Sequence, residues 1–532
     1  MAKVQRVPMK DVASMFEQKS DHERNIWELA YTLFDGLDSE VPASDLNADT
    51  EDFYNRVRKD RFSKFWEEVC QDSASKAVAA APNAEERAIA HLSANKVVEA
   101  CDALAQGKDF RLAILVAQLG GDHVMREDMA LQIQKWRNLN ILSEMTEPIR
   151  TLYGLLAGNT CICEGKKGPL EDRARTFTIS DRFDLDWKRA FALRFWYAIL
   201  TEERIEAAVK NFAEDLTNDE SRKPSPWFIE QGADRPWEDP AGPQREDLLW
   251  GLLKLYASSK GALPSVSIAD ILLPHNTTGN PLDVRLSFQL YHALAIRFPN
   301  SADPAKADHL ACDFAAQLSA AGEWLWALFA LLHLSDSEKR KLAIQSILAR
   351  HAAEIPVDGP DSRVFRTLTE EFQIPAPWIW EAKALYARAV LQDHAREVQY
   401  LLEAGNWNEA HTTLVRAVAP RCVIEQDYTM LQSLLDGFAM GQKMVGEWGM
   451  GGQVYTDFLA LIKGIEGKEK EAAVGRLVCA LPALGRGQRG LGDQGFREGV
   501  AVKEMGRVVA SVVAEAGVRV SLFSSFMDLM AV

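Results

Sequence analysis

Apolar residues recur every three to four positions along most of this 532-residue chain. Near the N-terminus, Ile26, Leu29, Ala30 and Leu33 have this spacing, and Gly36 ends the segment. A period of 3.6 residues places such side chains on one face of an amphipathic α-helix. The sequence contains no convincing run in which apolar and polar residues alternate, as they do in a half-buried strand. The pattern therefore predicts an all-α fold.

One short phrase occurs three times, each time between two predicted helices. A glycine is followed two positions later by an aromatic residue and five positions later by alanine, and the third copy is one residue longer. Glycine is expected there because a helix commonly ends in a left-handed residue, which glycine adopts at little cost. The ring would then fill the gap between the paired helices, and the alanine would let their backbones approach. The copies are Gly405, Trp407 and Ala410; Gly322, Trp324 and Ala327; and Gly107, Phe110 and Ala113.

A single helix pair cannot bury its own apolar face, whereas several stacked pairs can. The repeated phrase therefore favours an elongated stack of helical hairpins. Unrelated helix pairs in an ordinary helical protein are the alternative, because no strict repeat period follows from these few positions. Residues 218–244, which contain five prolines, and the glycine-rich residues 481–499 are predicted to be loops.

Charge and composition limit the class of protein. The chain has 60 basic and 76 acidic residues, and a net charge of −16 disfavours direct nucleic-acid binding through a general basic surface. No stretch approaches 18 consecutive apolar residues, so no transmembrane helix is predicted. The N-terminus lacks the apolar segment of a secretory signal. Seven scattered cysteines are typical of unpaired thiols in a reducing compartment.

The sequence contains no catalytic or cofactor-binding motif with the spacing and predicted structural context that such a motif requires. Cys161 and Cys163 form a C-x-C pair, but no second pair stands at zinc-site spacing. The segment Gly485 to Gly490 fits the dinucleotide pattern G-x-G-x-x-G, yet no strand is predicted before it, so it is interpreted as a solvated linker. Metalloprotease, nucleophile-elbow and P-loop motifs are absent from the sequence. We therefore expect no catalytic residue, no cofactor and no metal.

The fourteen tryptophans leave one enzymatic alternative open. In an (α/α) toroid they could line a sugar-binding cleft beside two carboxylates, as in a carbohydrate-active enzyme. Trp196, Trp250, Trp324, Trp378 and Trp407 have apolar neighbours at helical spacing, which favours packing in the core. The exposure of the tryptophans distinguishes these alternatives, because a cleft would expose them and a core would bury them.

Seven phrases, in a fixed order, resemble the nucleoporin-96 family, which is the carboxy-terminal product of the nucleoporin 98–96 precursor and, in fungi, the carboxy-terminal half of nucleoporin 145. Each phrase alone is weak, but their order makes the resemblance specific over residues 25–435. They are RLAILVAQLGGD from Arg111, EPIRTLYGLLAGN from Glu147, DLDWKRAFALRFWYAIL from Asp184, NPLDVRLSFQLYHAL from Asn280, AAGEWLWALFALLHLSD from Ala320, IPAPWIWEAKALYARA from Ile374 and AGNWNEAHTTLVRAVAP from Ala404.

The resemblance implies the ancestral coatomer element fold, in which a helical chain turns back on itself in a U. By analogy, residues 1–82 and 260–402 would form the outgoing and returning parts of a trunk. Residues 83–259 would form the crown at the turn, and residues 403–532 the C-terminal tail. The implied role is a non-enzymatic scaffold of the Y-shaped nuclear pore subcomplex at the nuclear envelope, supporting nucleocytoplasmic transport. A vesicle-coat outer subunit of the same fold is the alternative.

The resemblance also implies partners, although not the residues that contact them. The crown would bind a helical nucleoporin of the 84/107 type, and the tail would bind the 120/160-type and 85-type nucleoporins. The trunk would bind the Sec-thirteen β-propeller, which family members complete with an extended segment before their first helix. Because this chain begins almost at that helix, we expect its contact with the propeller to depend on the trunk surface alone.

Overall fold

The computed structural model describes residues 9, 21–36, 50–120, 123–169, 171–200, 202–232, 240–278, 280–299, 302–356, 362–487 and 493–516. The chain divides into two compact units, residues 1–317 and 318–532. The predicted all-α class is confirmed, because nearly all the regular structure of the described residues is helical.

The first unit contains fifteen α-helices among its described residues and ends within a sixteenth. They are α1 (Asp21–Phe34), α2 (Thr50–Ala80), α3 (Ala84–Leu92), α4 (Val97–Gln106), α5 (Phe110–Val116), α6 (His123–Asn138), α7 (Glu147–Leu156), α8 (Ile179–Arg182), α9 (Trp187–Leu193), α10 (Ile205–Thr217), α11 (Trp227–Glu230), α12 (Leu248–Ser259), α13 (Ile268–Ile271), α14 (Pro274–Thr277), α15 (Arg285–Ala295) and α16 (Pro304–Ala320).

The second unit continues with eleven more helices in its described part. They are α17 (Trp324–Leu331), α18 (Ser337–Arg350), α19 (Arg363–Arg366), α20 (Ala376–Tyr386), α21 (His394–Glu403), α22 (Trp407–Thr413), α23 (Ala419–Glu425), α24 (Tyr428–Gly437), α25 (Gly452–Ile462), α26 (Lys468–Gly487) and α27 (Asp493–Ala516). Short π-helical turns extend α9, α19, α20 and α22.

Side-chain caps define where many of these helices begin. Asn83 accepts a hydrogen bond of 2.8 Å from the backbone N–H of Glu86 at the start of α3. Asp186 accepts one of 2.8 Å from Arg189 in α9. Such side chains satisfy N–H groups that have no partner within the helix, and each typically contributes about 1 kcal/mol.

A continuous aromatic cluster forms the core of the first unit. Trp66 of α2 meets Phe191 of α9 with ring centroids 5.0 Å apart, and Phe191 meets Phe212 of α10 at 5.4 Å. Phe212 in turn meets Trp250 of α12 at 5.3 Å. All four rings are buried. Edge-to-face pairs of this kind add to the burial of apolar area, so the cluster joins α2 firmly to helices that follow it by more than 100 residues.

The chain returns to its first helix at α15. Arg285 of α15 holds both carboxylate oxygens of Glu23 in α1, each at 2.8 Å. Arg297, just beyond α15, contacts Asp35 at 2.5 Å. Leu290 packs in the same buried cluster as the first two helices. Paired N–H donors match the planar geometry of a carboxylate, so these contacts fix the position of α15 beside α1.

A second buried cluster packs α3, α4, α5 and α7 around a small β-hairpin. Strands β1 (Ile162–Cys163) and β2 (Phe177–Thr178) pair antiparallel, with Cys163 opposite Phe177. The hairpin is a minor departure from the predicted absence of strands. Its two-residue strands are too short for alternation to be visible in the sequence.

An apolar stripe near the C-terminus is covered within the chain itself. So large a stripe needs cover from other side chains, and Val509 and Val513 are buried within the second unit. The residues of the stripe are Val500, Val508, Val509, Val512, Val513 and Phe523. Helix α27 packs against α23 and α26 of the same chain, which supply the cover. Phe523 lies outside the described residues. The described part of the stripe therefore packs in the core of this unit and needs no partner protein.

The predicted loop at residues 481–499 is wrong for most of its length. Helix α26 continues to Gly487, and α27 begins at Asp493. Leu477, Leu481 and Leu484 are buried on one side of α26, and this helical spacing continues past Pro482. The apolar stripe thus outweighs the hydrogen bond that a proline removes from a helix. Of the glycine-rich phrase, Gly485 to Gly487 end α26, and residues 488–490 are not described.

Two of the three predicted glycine corners have the expected backbone conformation. Gly322 has φ of +83° and Gly405 has φ of +73°, and the N–H of the following residue bonds back across each corner. After Gly405, for example, the Asn406 N–H donates to the Leu401 carbonyl at 2.9 Å. This is the bond that closes a helix end around a left-handed residue. Ala327 and Ala410 are fully buried where the helices approach.

The third corner was assigned to the wrong residue. Gly107 has φ of −72°, and Lys108 takes the left-handed conformation with φ of +69°. Counted from Lys108, Phe110 and Ala113 have the same spacing as in the other copies, which explains the extra residue. Phe110 is 63% exposed and does not fill the gap between the helices. Gly107 instead allows a close approach, because an added Cβ would lie 2.5 Å from the Ala84 Cβ.

The aromatic residues that follow the two glycine corners differ in depth. Trp324 is buried, whereas Trp407 is half-buried and packs on Phe438, with ring centroids 6.3 Å apart. The backbone of Gly441 lies directly against the Trp407 ring, since an added Cβ would come within 2.1 Å of Cδ2. Gly441 has φ of −108°, a conformation that other residues adopt readily. Glycine is therefore needed at this position because the Trp407 ring leaves no room for a side chain.

Gly441→Ala should lower the free energy of unfolding by about 1 to 3 kcal/mol, because the new methyl group overlaps the Trp407 ring. In a Trp407→Ala background the overlap disappears, so the loss should be much smaller. Urea unfolding of the two single variants and the double variant measures this coupling. Gly322→Ala is the matched control: it introduces left-handed strain with no atom within 4 Å, so its cost should not depend on Trp407. Additive effects of Gly441→Ala and Trp407→Ala would contradict the contact.

A cluster of charged side chains lies beside the aromatic core. The Lys188 ammonium is 3.3 Å from the Glu230 carboxylate. The buried Asp247 caps α12, because its carboxylate accepts a hydrogen bond of 2.8 Å from the Leu249 N–H. Burial raises the pKa of Glu230 to about 7 and that of Asp247 to about 6, although Lys188 opposes both shifts. The folded chain therefore holds protons on these carboxyl groups at pH values where the unfolded chain does not.

The unfolding free energy should consequently rise as the pH falls from 8 towards 5. Each folded-state pKa lies above its unfolded value, so the stabilising effect of protonation is lost as the pH rises through about 6 and about 7. The slope is at most about 1.4 kcal/mol per pH unit for each proton. Thermal unfolding of the wild type and of Glu230→Gln across this range tests it. The stability difference between the two should change with pH, whereas the exposed-site control Glu469→Gln should run parallel to the wild type. A pH-independent difference for Glu230→Gln would refute the assignment.

Candidate interaction surfaces

Helices α4 and α5 present an apolar face to solvent. Val98, Phe110 and Ile114 are 71%, 63% and 64% exposed. Phe110 and Ile114 are one turn apart and so share a side of α5. The Cys101 thiol donates a hydrogen bond of 3.4 Å to the Ala113 carbonyl, which brings α4 and α5 together one turn from Val98. We call Val98, Phe110 and Ile114 the α4–α5 face.

Helix α6 carries a second exposed apolar row. Val124 and Leu131 are seven residues apart, on one side of the helix, and both are exposed. The opposite side is held by Arg126, whose guanidinium donates to the carbonyls of Ala198 and Ile199 at 2.8 and 2.9 Å. Large apolar side chains that are exposed on a helix in this way are typical of protein interfaces.

The sequence prediction did not identify these surfaces. It assigned Phe110 a packing role between helices, whereas the structure exposes it. The other predicted hinge residues lie in or beside the cores and do not form one site. The i and i+4 positions of Phe110 and Ile114 were the available signal, but the same spacing also occurs on every buried helix face.

A methionine-rich connection joins α24 to α25 in the second unit. Met440, Met444 and Met450 are 91%, 69% and 50% exposed. Between them, Trp448 anchors the connection by packing on Phe438, with ring centroids 5.3 Å apart. Methionine is unbranched and polarisable, and it adapts to differently shaped partners. Three methionines within eleven residues are the sequence signal of this connection.

The buried polar groups of the first unit are structural. Cys161 donates to Asp215 at 3.0 Å, and Arg194 contacts both side chains. Burial raises the pKa of the Cys161 thiol to about 12, so it stays protonated and unreactive. Within the described ranges, no group of three or more His, Cys, Asp and Glu side chains is placed to hold a metal ion.

The burial of the tryptophans bears on the toroid-enzyme alternative, and the length and polarity of the helices bear on whether any could span a membrane. Trp27, Trp66, Trp187 and Trp250 are buried in the first unit's core, whereas the toroid alternative places tryptophans in an open cleft. Among the helices that the structure describes, none combines the length and apolar character needed to cross a bilayer.

Comparison with known proteins identifies the family. The family model described as nuclear protein 96 matches residues 86–386, which include the α4–α5 face and α6. The chain is 33% identical over 447 residues to nucleoporin NUP145 of Chaetomium thermophilum, covering 84% of this chain and 22% of that protein. It is 30% identical over 465 residues to nucleoporin nup189 of Schizosaccharomyces pombe, covering 84% and 24%.

A more distant relative extends the comparison to animals. The chain is 27% identical over 453 residues to the nuclear pore complex protein Nup98-Nup96 of Drosophila melanogaster, covering 83% of this chain and 21% of that protein. The chain thus spans about a fifth to a quarter of the length of these relatives. Because the family model matches more than half of the 532 residues, this chain belongs to the nuclear protein 96 family, whose members are nuclear pore components.

Proposed function

We propose that the chain is a non-enzymatic scaffold of the Y-shaped nuclear pore coat subcomplex, which holds partner nucleoporins through helical interfaces and supports nucleocytoplasmic transport. The observation that carries the proposal is the α4–α5 face, which lies inside the region matched by the family model. Large apolar side chains on helices suit binding and do not supply catalytic groups. The nucleoporin relatives favour this proposal over a vesicle-coat subunit.

The contact between α1 and α15 supports the proposed path of the chain. In that proposal, residues 1–82 and 260–402 are the two parts of a trunk, and residues 83–259 form the crown at the turn. Glu23 and Arg285 belong to the two trunk parts and are bound to each other. A chain that leaves along α1 and comes back beside it at α15 has the topology that a U-turn requires.

The crown is proposed to bind the 84/107-type nucleoporin through the α4–α5 face. Burying an exposed Phe, Ile or Val side chain stabilises a complex by about 1.5 to 3 kcal/mol. A chain with a net charge of −16 gains little from long-range attraction to an acidic partner. We therefore assign most of the affinity to apolar contacts.

Phe110→Ala combined with Ile114→Ala should weaken binding of the 84/107-type partner by about 100-fold or more, because both side chains are buried only in the complex. Isothermal titration calorimetry with the purified partner measures the change. Leu342→Ala, which removes a comparably exposed side chain from α18, should leave the affinity unchanged. Wild-type affinity should also differ little between low and moderate salt. Unchanged affinity of the double variant, or a steep loss with salt, would argue against an apolar crown interface.

The trunk is proposed to bind the Sec-thirteen β-propeller, and the tail, residues 403–532, to bind the 120/160-type and 85-type nucleoporins. For the tail, the buried stripe of α27 gives no support, whereas the exposed Met440, Met444 and Met450 do. Deleting the tail would be a poor test. Val398 and Leu401, which precede the boundary, share a buried cluster with residues that follow it, so removal of the tail would uncover them.

Replacing Met440, Met444 and Met450 together by Gln should abolish co-elution with the 120/160-type and 85-type nucleoporins while leaving the 84/107-type partner bound. All three side chains are at least half exposed, so the substitutions remove apolar contact area and leave the core intact. Size-exclusion chromatography with each partner separately tests this. Leu385→Gln, an exposed apolar residue of α20 outside the tail, is the control. If the triple variant still co-elutes with both the 120/160-type and the 85-type nucleoporin, the methionine-rich connection is not part of the interface.

A further inference from the structure

Arg150 of α7 is an almost completely buried cation, with only 5% of the residue exposed. Its guanidinium donates a hydrogen bond of 2.8 Å to the Glu164 carbonyl and lies 5.4 Å from the centre of the Phe177 ring. Among the described residues no carboxylate forms an ion pair with it, and Glu147, one turn earlier in α7, is bound by Arg182 instead. Buried charges are normally paired, because an unpaired charge in the interior is costly. Arg150 therefore lacks the anion that a buried cation usually has.

Arg150 lines a cavity of about 200 Å³ between α6, α7 and strand β1. Two aromatic side chains form part of the wall, because Trp136 of α6 and Tyr153 of α7 meet there with ring centroids 4.8 Å apart. Leu142 and Ile162 also line the cavity. Apolar walls with a few polar groups that fix orientation are typical of small-ligand sites. The cavity thus offers an apolar surface beside one buried guanidinium.

The other ionisable groups that line the cavity do not supply the missing anion. The Glu164 carboxylate is bound by Arg137 at 2.5 Å. Burial raises the pKa of the Cys163 thiol and that of the Tyr153 hydroxyl, so both groups stay uncharged at neutral pH. Since Arg137 and Glu164 cancel, the net charge of the lining is that of Arg150.

We propose that this cavity binds a carboxylate that is carried by a short apolar body. The carboxylate would accept hydrogen bonds from guanidinium N–H groups of Arg150, whose planar geometry suits two parallel bonds to one carboxylate. The apolar body would lie against the rings of Trp136 and Tyr153. At about 30 Å³ for each water-sized group, a cavity of about 200 Å³ holds about seven such groups. A free branched-chain acid and the C-terminal residue of a polypeptide both have this chemistry and this size.

A ligand in this cavity would join α6 more firmly to the rest of the first unit. None of the residues of α6 is buried, so this helix is held by partly exposed contacts. Ile133 and Trp136 of α6 would contact one side of the ligand, and Arg150 and Tyr153 of α7 the other. A ligand that binds only the folded chain stabilises it by mass action. None of the lining residues belongs to the α4–α5 face, so the site does not depend on the partner proposed above.

The first test compares acids with their uncharged amides in ligand-observed NMR titrations of the full chain. The free acid is 3-methylbutanoate, and the polypeptide end is represented by acetyl-glycyl-glycyl-valine. Each acid should bind at least about 10-fold more tightly than its amide, because hydrogen bonds between charged groups are the stronger ones. Whichever acid binds more tightly identifies the source of the carboxylate. Equal affinity for acids and amides, or no binding of either acid at millimolar concentration, would overturn the proposal.

The second test places the ligand in the cavity. Arg150→Gln removes the charge and should weaken binding of the acid by at least about 10-fold. Because a buried arginine also contributes to folding, a second variant leaves the core unchanged. Ala130 is exposed on α6 and lines the cavity, so Ala130→Phe fills the open side and should abolish binding. Ala79→Phe, at an exposed position of α2 outside the cavity, is the matched control and should bind as the wild type does. Wild-type affinity in Ala130→Phe would show that the acid binds elsewhere and would refute the assignment.

Discussion

The first unit depends on the packing of α2 against α9, α10 and α12 through one set of buried rings. Helix α2 is highly charged, and the aromatic side chains on its apolar face cannot be buried by the helix itself. Their cover comes from helices that are distant in sequence. Phe62, Trp66, Phe191, Phe212 and Trp250 supply one another with that cover. The charged cluster of Lys188, Glu230 and Asp247 lies beside this packing, so the core determines where these groups meet.

The helical class was predictable because the helical apolar spacing extends over most of the chain and the sequence has no convincing run of alternating apolar and polar residues. The corners at Gly322 and Gly405 were also predictable, since a left-handed helix end strongly prefers glycine. The same rule failed at Gly107, where Lys108 accepts the strained conformation and the adjacent glycine is required by Ala84. A sequence rule based on glycine cannot separate conformational need from lack of space.

The candidate surfaces were harder to predict than the fold. An apolar residue at helical spacing has the same pattern whether it faces a core or solvent. The sequence therefore predicted Phe110 to be buried, and this prediction was wrong. For the same reason, the pattern alone does not show that Val509 and Val513 of α27 are covered by other helices. Only the packing of neighbouring helices decides which stripe is covered, and that information lies in contacts between distant residues.

The pairing of Glu23 with Arg285 has a consequence for synthesis of the chain on the ribosome. The two residues are 262 positions apart, and the second pair, Asp35 with Arg297, has the same separation. At about 5 to 20 residues per second, roughly 13 to 50 s pass between the emergence of α1 and that of α15. During that interval α1 can pack on α2 and then on α12, but its ion pairs with Arg285 and Arg297 cannot form. The position of α1 beside α15 is therefore fixed only late in synthesis, when the last part of the first unit has emerged.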